Sequence, residues 1–189
     1  MAVDLFYFLS TLPTLRAGQK PPFSVQQFLE NCRNTLPPKL AAAAERASLL
    51  PQDEDSSDTM AAWYAFEAFL RNTTGDIRLT RLPRGNNLSF RKKESNHLSP
   101  GDRKLIEDAM ALPTPAEREA ALDQVRWKFL DSLEACHTFD QDLLEIYAVK
   151  LQLLEKQSSR TLETGRAAFQ EILRDIHQQA LEHRVDAEL

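Results

Sequence analysis

The stretch FDQDLLEIYAVKLQLLEKQSSRTLETGRAAFQEILRDIHQQA, residues 139–180, decides the fold. It reads as two consecutive amphipathic helices, and the first is apolar on two opposite sides. Leu144, Tyr147, Leu151 and Leu154 recur at helical spacing along one side, and Ile146, Val149 and Leu153 along the other. Only Gln141, Glu145, Gln152 and Lys156 are left as a narrow strip for water. A helix with two greasy faces needs packing partners on both, so the expected architecture is all-α, a compact multi-helix bundle. In the second helix, Leu162, Gly165, Phe169, Ile172, Leu173, Ile176 and Ala180 form the side expected to point inward. A glycine in that row predicts a close helix-helix approach.

Upstream, the helix starts are legible. Thr114, Pro115 and Glu117 combine a capping box with proline at the first helical position, and launch a helix towards Cys136. Its expected buried stripe is Leu122, Val125, Phe129, Leu133 and Cys136, flanked by Trp127 and Leu130. Ser99 and Pro100 start a shorter helix with Leu105, Ile106, Ala109 and Leu112 inward. Near the N-terminus, Ser24 and Gln27 form another capping box, with Phe23 and Phe28 as a hydrophobic staple over a helix to Thr35. An alanine-rich helix is expected over residues 39–50. Asp58 is read as the cap of a strongly apolar helix carrying Met60, Trp63, Tyr64, Phe66, Phe69 and Leu70. Thr73, Thr74 and Gly75 are poor helix formers, so that helix is expected to end or distort there.

Residues 77–96 break the pattern. They bring together Arg78, Arg81, Arg84, Arg91, Lys92 and Lys93 around a Gly-Asn-Asn turn, and read as a basic loop or small hairpin inserted in the bundle. Two readings stay open for them: a solvated loop offsetting an acidic remainder, or a docking surface for an acidic protein or membrane headgroup. The chain is expected to be a single helical domain over residues 1–189. Its subdivisions are N-terminal helices (1–76), the basic excursion (77–98) and a C-terminal bundle (99–189).

Composition narrows the functional classes. With 42% hydrophobic and 27% charged residues the chain matches ordinary globular domains, and 189 residues are enough for a self-sufficient core. A formal net charge of −5 and a single aromatic in the basic segment argue against nucleic acid as a partner. Cys32 and Cys136 lie far apart, which excludes zinc ribbons and thioredoxin-like chemistry and fits a reducing compartment. The apolar run over residues 5–15 is too short to span a bilayer and has no basic segment ahead of it, so a mature cytoplasmic protein is expected.

Reactive constellations are scarce. Glu134 and His137 have the Glu-x-x-His spacing of di-iron bundles, but the second copy such sites require is missing, so His137 reads as a helix-end histidine. Cys136 and His137 are adjacent and cannot face each other on one helix. Asp140 and Asp142 begin like a calcium loop that lacks its glycine. No glycine pattern cradles phosphate, and His177 and His183 point away from each other on a helix. Neither catalytic residues nor a cofactor is implied.

Three stretches carry a resemblance. Phe6-Tyr7-Phe8-Leu9-Ser10-Thr11-Leu12-Pro13 is similar to a recurrent opening in a bacterial family of unassigned function whose members are encoded beside V-type ATPase subunits. That family is distantly similar to the central-stalk component of these ATPases, the part that couples the soluble rotor to the membrane ring. Phe66-Glu67-Ala68-Phe69-Leu70-Arg71-Asn72 resembles the family's aromatic-acidic segment. Phe139-Asp140 through Leu143-Leu144, Tyr147 and Lys150-Leu151, followed by Glu163 to Gly165, resembles its C-terminal helix. The resemblance implies a non-catalytic helical subunit between the rotor stalk and the membrane ring of an ion-transporting V-type ATPase. Such a protein would lie in the cytoplasm or peripherally on the cytoplasmic face of the inner membrane. The alternative is a free-standing helical scaffold or adaptor.

Overall fold

Side-chain hydrogen bonds mark the helix boundaries. In the computed structural model, which describes residues 5–50, 57–80, 100–160, 165 and 169–174, the elements are α1 (Leu5–Thr11), α2 (Val25–Thr35), α3 (Pro38–Arg46), α4 (Asp58–Leu79), α5 (Pro100–Met110), α6 (Pro115–Glu134) and α7 (Gln141–Ser159). Among the described residues there is no strand, and the all-α expectation holds. Both capping boxes form. The Ser24 hydroxyl accepts from Gln27 N–H at 3.1 Å while the Gln27 side chain accepts from Ser24 N–H at 2.9 Å. Thr114 and Glu117 repeat this at 3.2 and 3.0 Å. The Phe23 ring lies parallel to Phe28 at 6.2 Å, closing the staple.

Two boundaries differ from the sequence reading. Ser57, not Asp58, caps α4, because its hydroxyl is the group that accepts from Met60 N–H, at 3.2 Å. Helix α3 stops at Arg46 instead of reaching Leu50, because side chains from elsewhere take the backbone groups that would continue it. The Gln152 side chain donates to Ala47 C=O at 2.7 Å and accepts from Leu49 N–H at 2.9 Å. The Trp63 indole donates to Ser48 C=O at 3.1 Å.

Helix α4 also runs through Thr73, Thr74 and Gly75 without ending. Thr73 and Thr74 are buried, and the Thr74 hydroxyl donates back to Arg71 C=O at 2.9 Å, so it needs no partner outside the helix. Packing of α4 on α5 and α6 outweighs a propensity deficit of about 1 kcal/mol or less per residue. Ile77 and Arg78 therefore belong to α4, and the remaining basic residues, Arg81, Arg84, Arg91, Lys92 and Lys93, lie outside the described residues.

The chain divides into two compact units, Met1–Glu155 and Lys156–Leu189. In the first, α2 packs on α3, and α4, α5 and α6 pack on one another. Helix α7 is enclosed as its two apolar faces require: Leu144, Ile146, Val149, Leu151, Leu153 and Leu154 are all 1% exposed or less. The strip expected to face water does not do so as a whole. Glu145 is buried, accepting from the Ser57 hydroxyl and from the Gln141 side chain. Gln152 is committed to the turn after α3.

Helix α6 is rotated from its expected stripe. Leu122, Asp123, Arg126, Trp127 and Leu130 face the core, Val125, Phe129 and Leu133 are half-buried, and Cys136 is exposed. Burying Arg126 and Asp123 displaces the apolar stripe sideways, which no periodicity of apolar residues records. In the second unit, Phe169, Ile172 and Leu173 are exposed, and a side chain at Gly165 would meet open space. The expected inward face and its close approach at Gly165 are therefore absent among these residues. An amphipathic stripe identifies the apolar side but not whether the same chain covers it. No described helix is long and apolar enough to cross a membrane.

Two outcomes are expected. Leu151→Ala removes a fully enclosed side chain of α7 and should lower unfolding free energy by about 2–5 kcal/mol in a denaturant titration. The Cys32 thiol is buried, and burial together with the nearby Glu45 carboxylate pushes its pKa up to about 12. A thiol-reactive dye should thus label Cys136 quickly in the native protein and Cys32 only after unfolding.

Candidate functional site

The charged centres of the first unit lie along α6. The guanidinium of Arg126 donates twice to Glu67 of α4, from Nε to Oε2 at 2.9 Å and from a terminal nitrogen to Oε1 at 3.1 Å. Its other terminal nitrogen donates to Asp123 at 3.0 Å. Arg71 reaches Glu67 from the rim at 2.8 Å. Arg126, Glu67 and Asp123 are all buried. Burial alone would push the Arg126 guanidinium down, but the hydrogen bonds and charges of Glu67 and Asp123 hold it above its ordinary value. Glu67 lies in the aromatic-acidic segment that carries the resemblance, and its α6 partners were missed because a charge run normally reads as a solvated face.

One layer along, Lys150 of α7 is buried to its tip. Its ammonium donates to Asp131 at 2.6 Å and to Glu134, and sits 5.2 Å from the centre of the Trp127 ring. Lys150 thus braces α7 against the last turns of α6, and the cation-π contact adds to the pair. Beside it a cavity of about 420 Å³ is lined by Leu9, Leu12, Trp127, Glu134, Leu143 and Tyr147 among others. The Tyr147 hydroxyl donates to Pro13 C=O at 3.0 Å and holds the segment after α1 over this cavity. Burial pushes the Tyr147 phenol up, so it is a hydrogen-bond donor and not a base.

Glu134 and His137, matched by spacing alone, go to different places. Glu134 is taken by Lys150, while His137 turns into the α6–α7 corner. There its Nδ1 lies 2.9 Å from Asp140 Oδ2 and 3.8 Å from Asp142 Oδ2, and its Nε2 lies 3.0 Å from the hydroxyl of Thr59 on α4. Asp140 also caps α7, accepting from Leu143 N–H at 2.9 Å. Partial burial would raise the Asp140 pKa, but that N–H and the imidazole together keep it below the ordinary aspartate value. The turn into α7 runs through Phe139, a non-glycine residue at φ 53°. Its half-exposed ring meets the exposed Phe6 ring at 4.4 Å.

Of the residues the sequence offered for partner binding, the structure describes only Arg78, exposed on the last turn of α4. Residues 103–180 match a family model described as a protein of unknown function (DUF2764), so the span from α5 through α7 is similar to that family. No curated protein and no solved structure matches the chain.

The buried charge network makes a measurable asymmetry. Arg126→Met leaves the buried carboxylate of Asp123 without its guanidinium and should cost about 3–5 kcal/mol of unfolding free energy. Replacing Glu67, Asp123 and Arg126 together by apolar residues of similar size should cost far less, as read from paired denaturant titrations.

Proposed function

We propose that the protein is a non-catalytic helical subunit or assembly partner of a bacterial V-type ATPase, acting between the rotor stalk and the membrane ring by side-chain packing. One observation supports this above the others: the three stretches that carry the resemblance meet in a single core. Phe8 and Leu9 of the opening are buried with Phe66 and Leu70 of the second stretch and with Leu144 and Leu151 of the third. The charges within that core are spent on one another, Glu67 on Arg126 and Lys150 on Asp131 and Glu134. A body braced in this way resists shear between its helices, which a part that carries torque or holds two others in register requires. The partner-facing candidates are Arg78, Arg81, Arg84, Arg91, Lys92 and Lys93, whose charges would act mainly on association rate and orientation against an acidic surface.

A second reading, a free-standing helical scaffold, draws on the cavity beside Lys150, which would suit a small segment of another protein.

Co-expression with the V-type ATPase subunits of the same organism separates the two. The first reading expects a stalk or ring subunit to co-purify with the tagged chain. It also expects reversal of the six basic residues to slow association by about tenfold or more at low ionic strength. Association unchanged by the reversal would remove the basic segment from the interface, and absence of every ATPase subunit would leave the scaffold reading.

A further inference from the structure

We propose that His137, Asp140 and Asp142 form a binding site for one divalent transition-metal ion of the zinc class, with the imidazole Nδ1 and one oxygen from each carboxylate as ligands. The donor set is the first ground. One imidazole and two carboxylates suit zinc or manganese, and a neutral imidazole nitrogen is the commonest protein ligand such ions take.

Spacing is the second. With metal-ligand bonds of about 2.0–2.1 Å, neighbouring ligand atoms of a tetrahedral site sit about 3.3 Å apart. Nδ1 lies 2.9 Å from Asp140 Oδ2 and 3.8 Å from Asp142 Oδ2, on either side of that value, and one donor atom from each residue falls within 4.8 Å of the others. Closing the set takes a shift of less than about 1 Å in side chains that are partly exposed, so an ion can enter and water can complete its coordination.

The third ground lies outside the cluster. Metal-bound histidines engage their other ring nitrogen with an outer partner that fixes the tautomer and the ring plane. His137 has such a partner in Thr59, a buried hydroxyl on another helix, 3.0 Å from Nε2. With Nε2–H donating to Thr59, the lone pair of Nδ1 faces the two carboxylates. Asp140 is equally fixed, since its Oδ1 accepts from Leu143 N–H and its Oδ2 is turned to the ring. A protonated imidazole alone leaves the corner unbalanced. Its Nδ1 proton satisfies Asp140, while Asp142 at 3.8 Å lies beyond hydrogen-bond range, so two carboxylates face at most one positive charge. A divalent ion balances both and ties the corner between α6 and α7, through Thr59, to the start of α4.

The test uses the full chain, free of any histidine tag and stripped with a chelator, titrated with zinc chloride in a calorimeter. One saturable ion per chain is expected, with a matching rise in melting temperature. Asp142→Asn, a rim residue outside the core, should weaken binding by about tenfold or more with an unchanged circular dichroism spectrum. His137→Gln should do the same. Cys136→Ser, which removes the exposed thiol next door, should leave the affinity within about twofold. The site is overturned if the wild-type chain shows no saturable binding, if Asp142→Asn binds as tightly as wild type, or if Cys136→Ser loses the ion. The corner is then a histidine-aspartate ion pair, or the thiol is the true ligand.

Discussion

A guanidinium sealed inside a helical bundle has to find an acceptor for its N–H groups, and Arg126 finds them on two helices at once. Glu67 takes two of its bonds and Asp123 a third. This fixes how far α4 can slide or turn against α6, because a step of one residue would strand a charge in the core. The aromatic layer alongside follows from that register. Phe66 and Phe129 stack at 4.0 Å with their planes 4° apart, and Trp63 closes on both. Nonpolar packing alone tolerates many alignments of two helices; an ion network with defined bond directions tolerates few.

The same logic repeats around α7, where polar side chains inside or beside the core tie it to its neighbours. Lys150 reaches α6, Glu145 reaches the cap of α4, Gln152 reaches the turn after α3, and Tyr147 reaches the segment after α1. Each joins α7 to a different part of the chain, so the first unit behaves as one braced body rather than a stack of independent helices. That mechanical character underlies the proposed role in a rotary complex, in which parts must hold their shape under load.

How much of this was legible follows from what each residue type reports. The enclosure of α7 could be read because apolar residues on two opposite faces admit no other solution. The caps at Ser24 and Thr114 could be read because they depend on neighbours three residues away. The buried side of α6 could not, because Arg126 and Asp123 are indistinguishable from surface charges until Glu67 is brought opposite them, 59 residues away in sequence. For the same reason, Glu134 and His137 looked like a pair by spacing. In the fold, each answers to a group the spacing does not contain, Lys150 for one and Thr59 with Asp140 for the other. The persistence of α4 through Thr73, Thr74 and Gly75 was hidden because tertiary burial decided it against local propensity.

The two bonds that Gln152 makes to the backbone after α3 have a consequence for how the protein is made. The groups they satisfy lie at Ala47 and Leu49, about a hundred residues earlier in the chain. On the ribosome those residues emerge long before Gln152 is synthesised. The N-terminal helices therefore cannot reach their final arrangement during translation and must wait, with their apolar surfaces uncovered, until α7 leaves the exit tunnel. The chain completes its core late and nearly all at once, and the interval before α7 appears is when it most needs protection from aggregation.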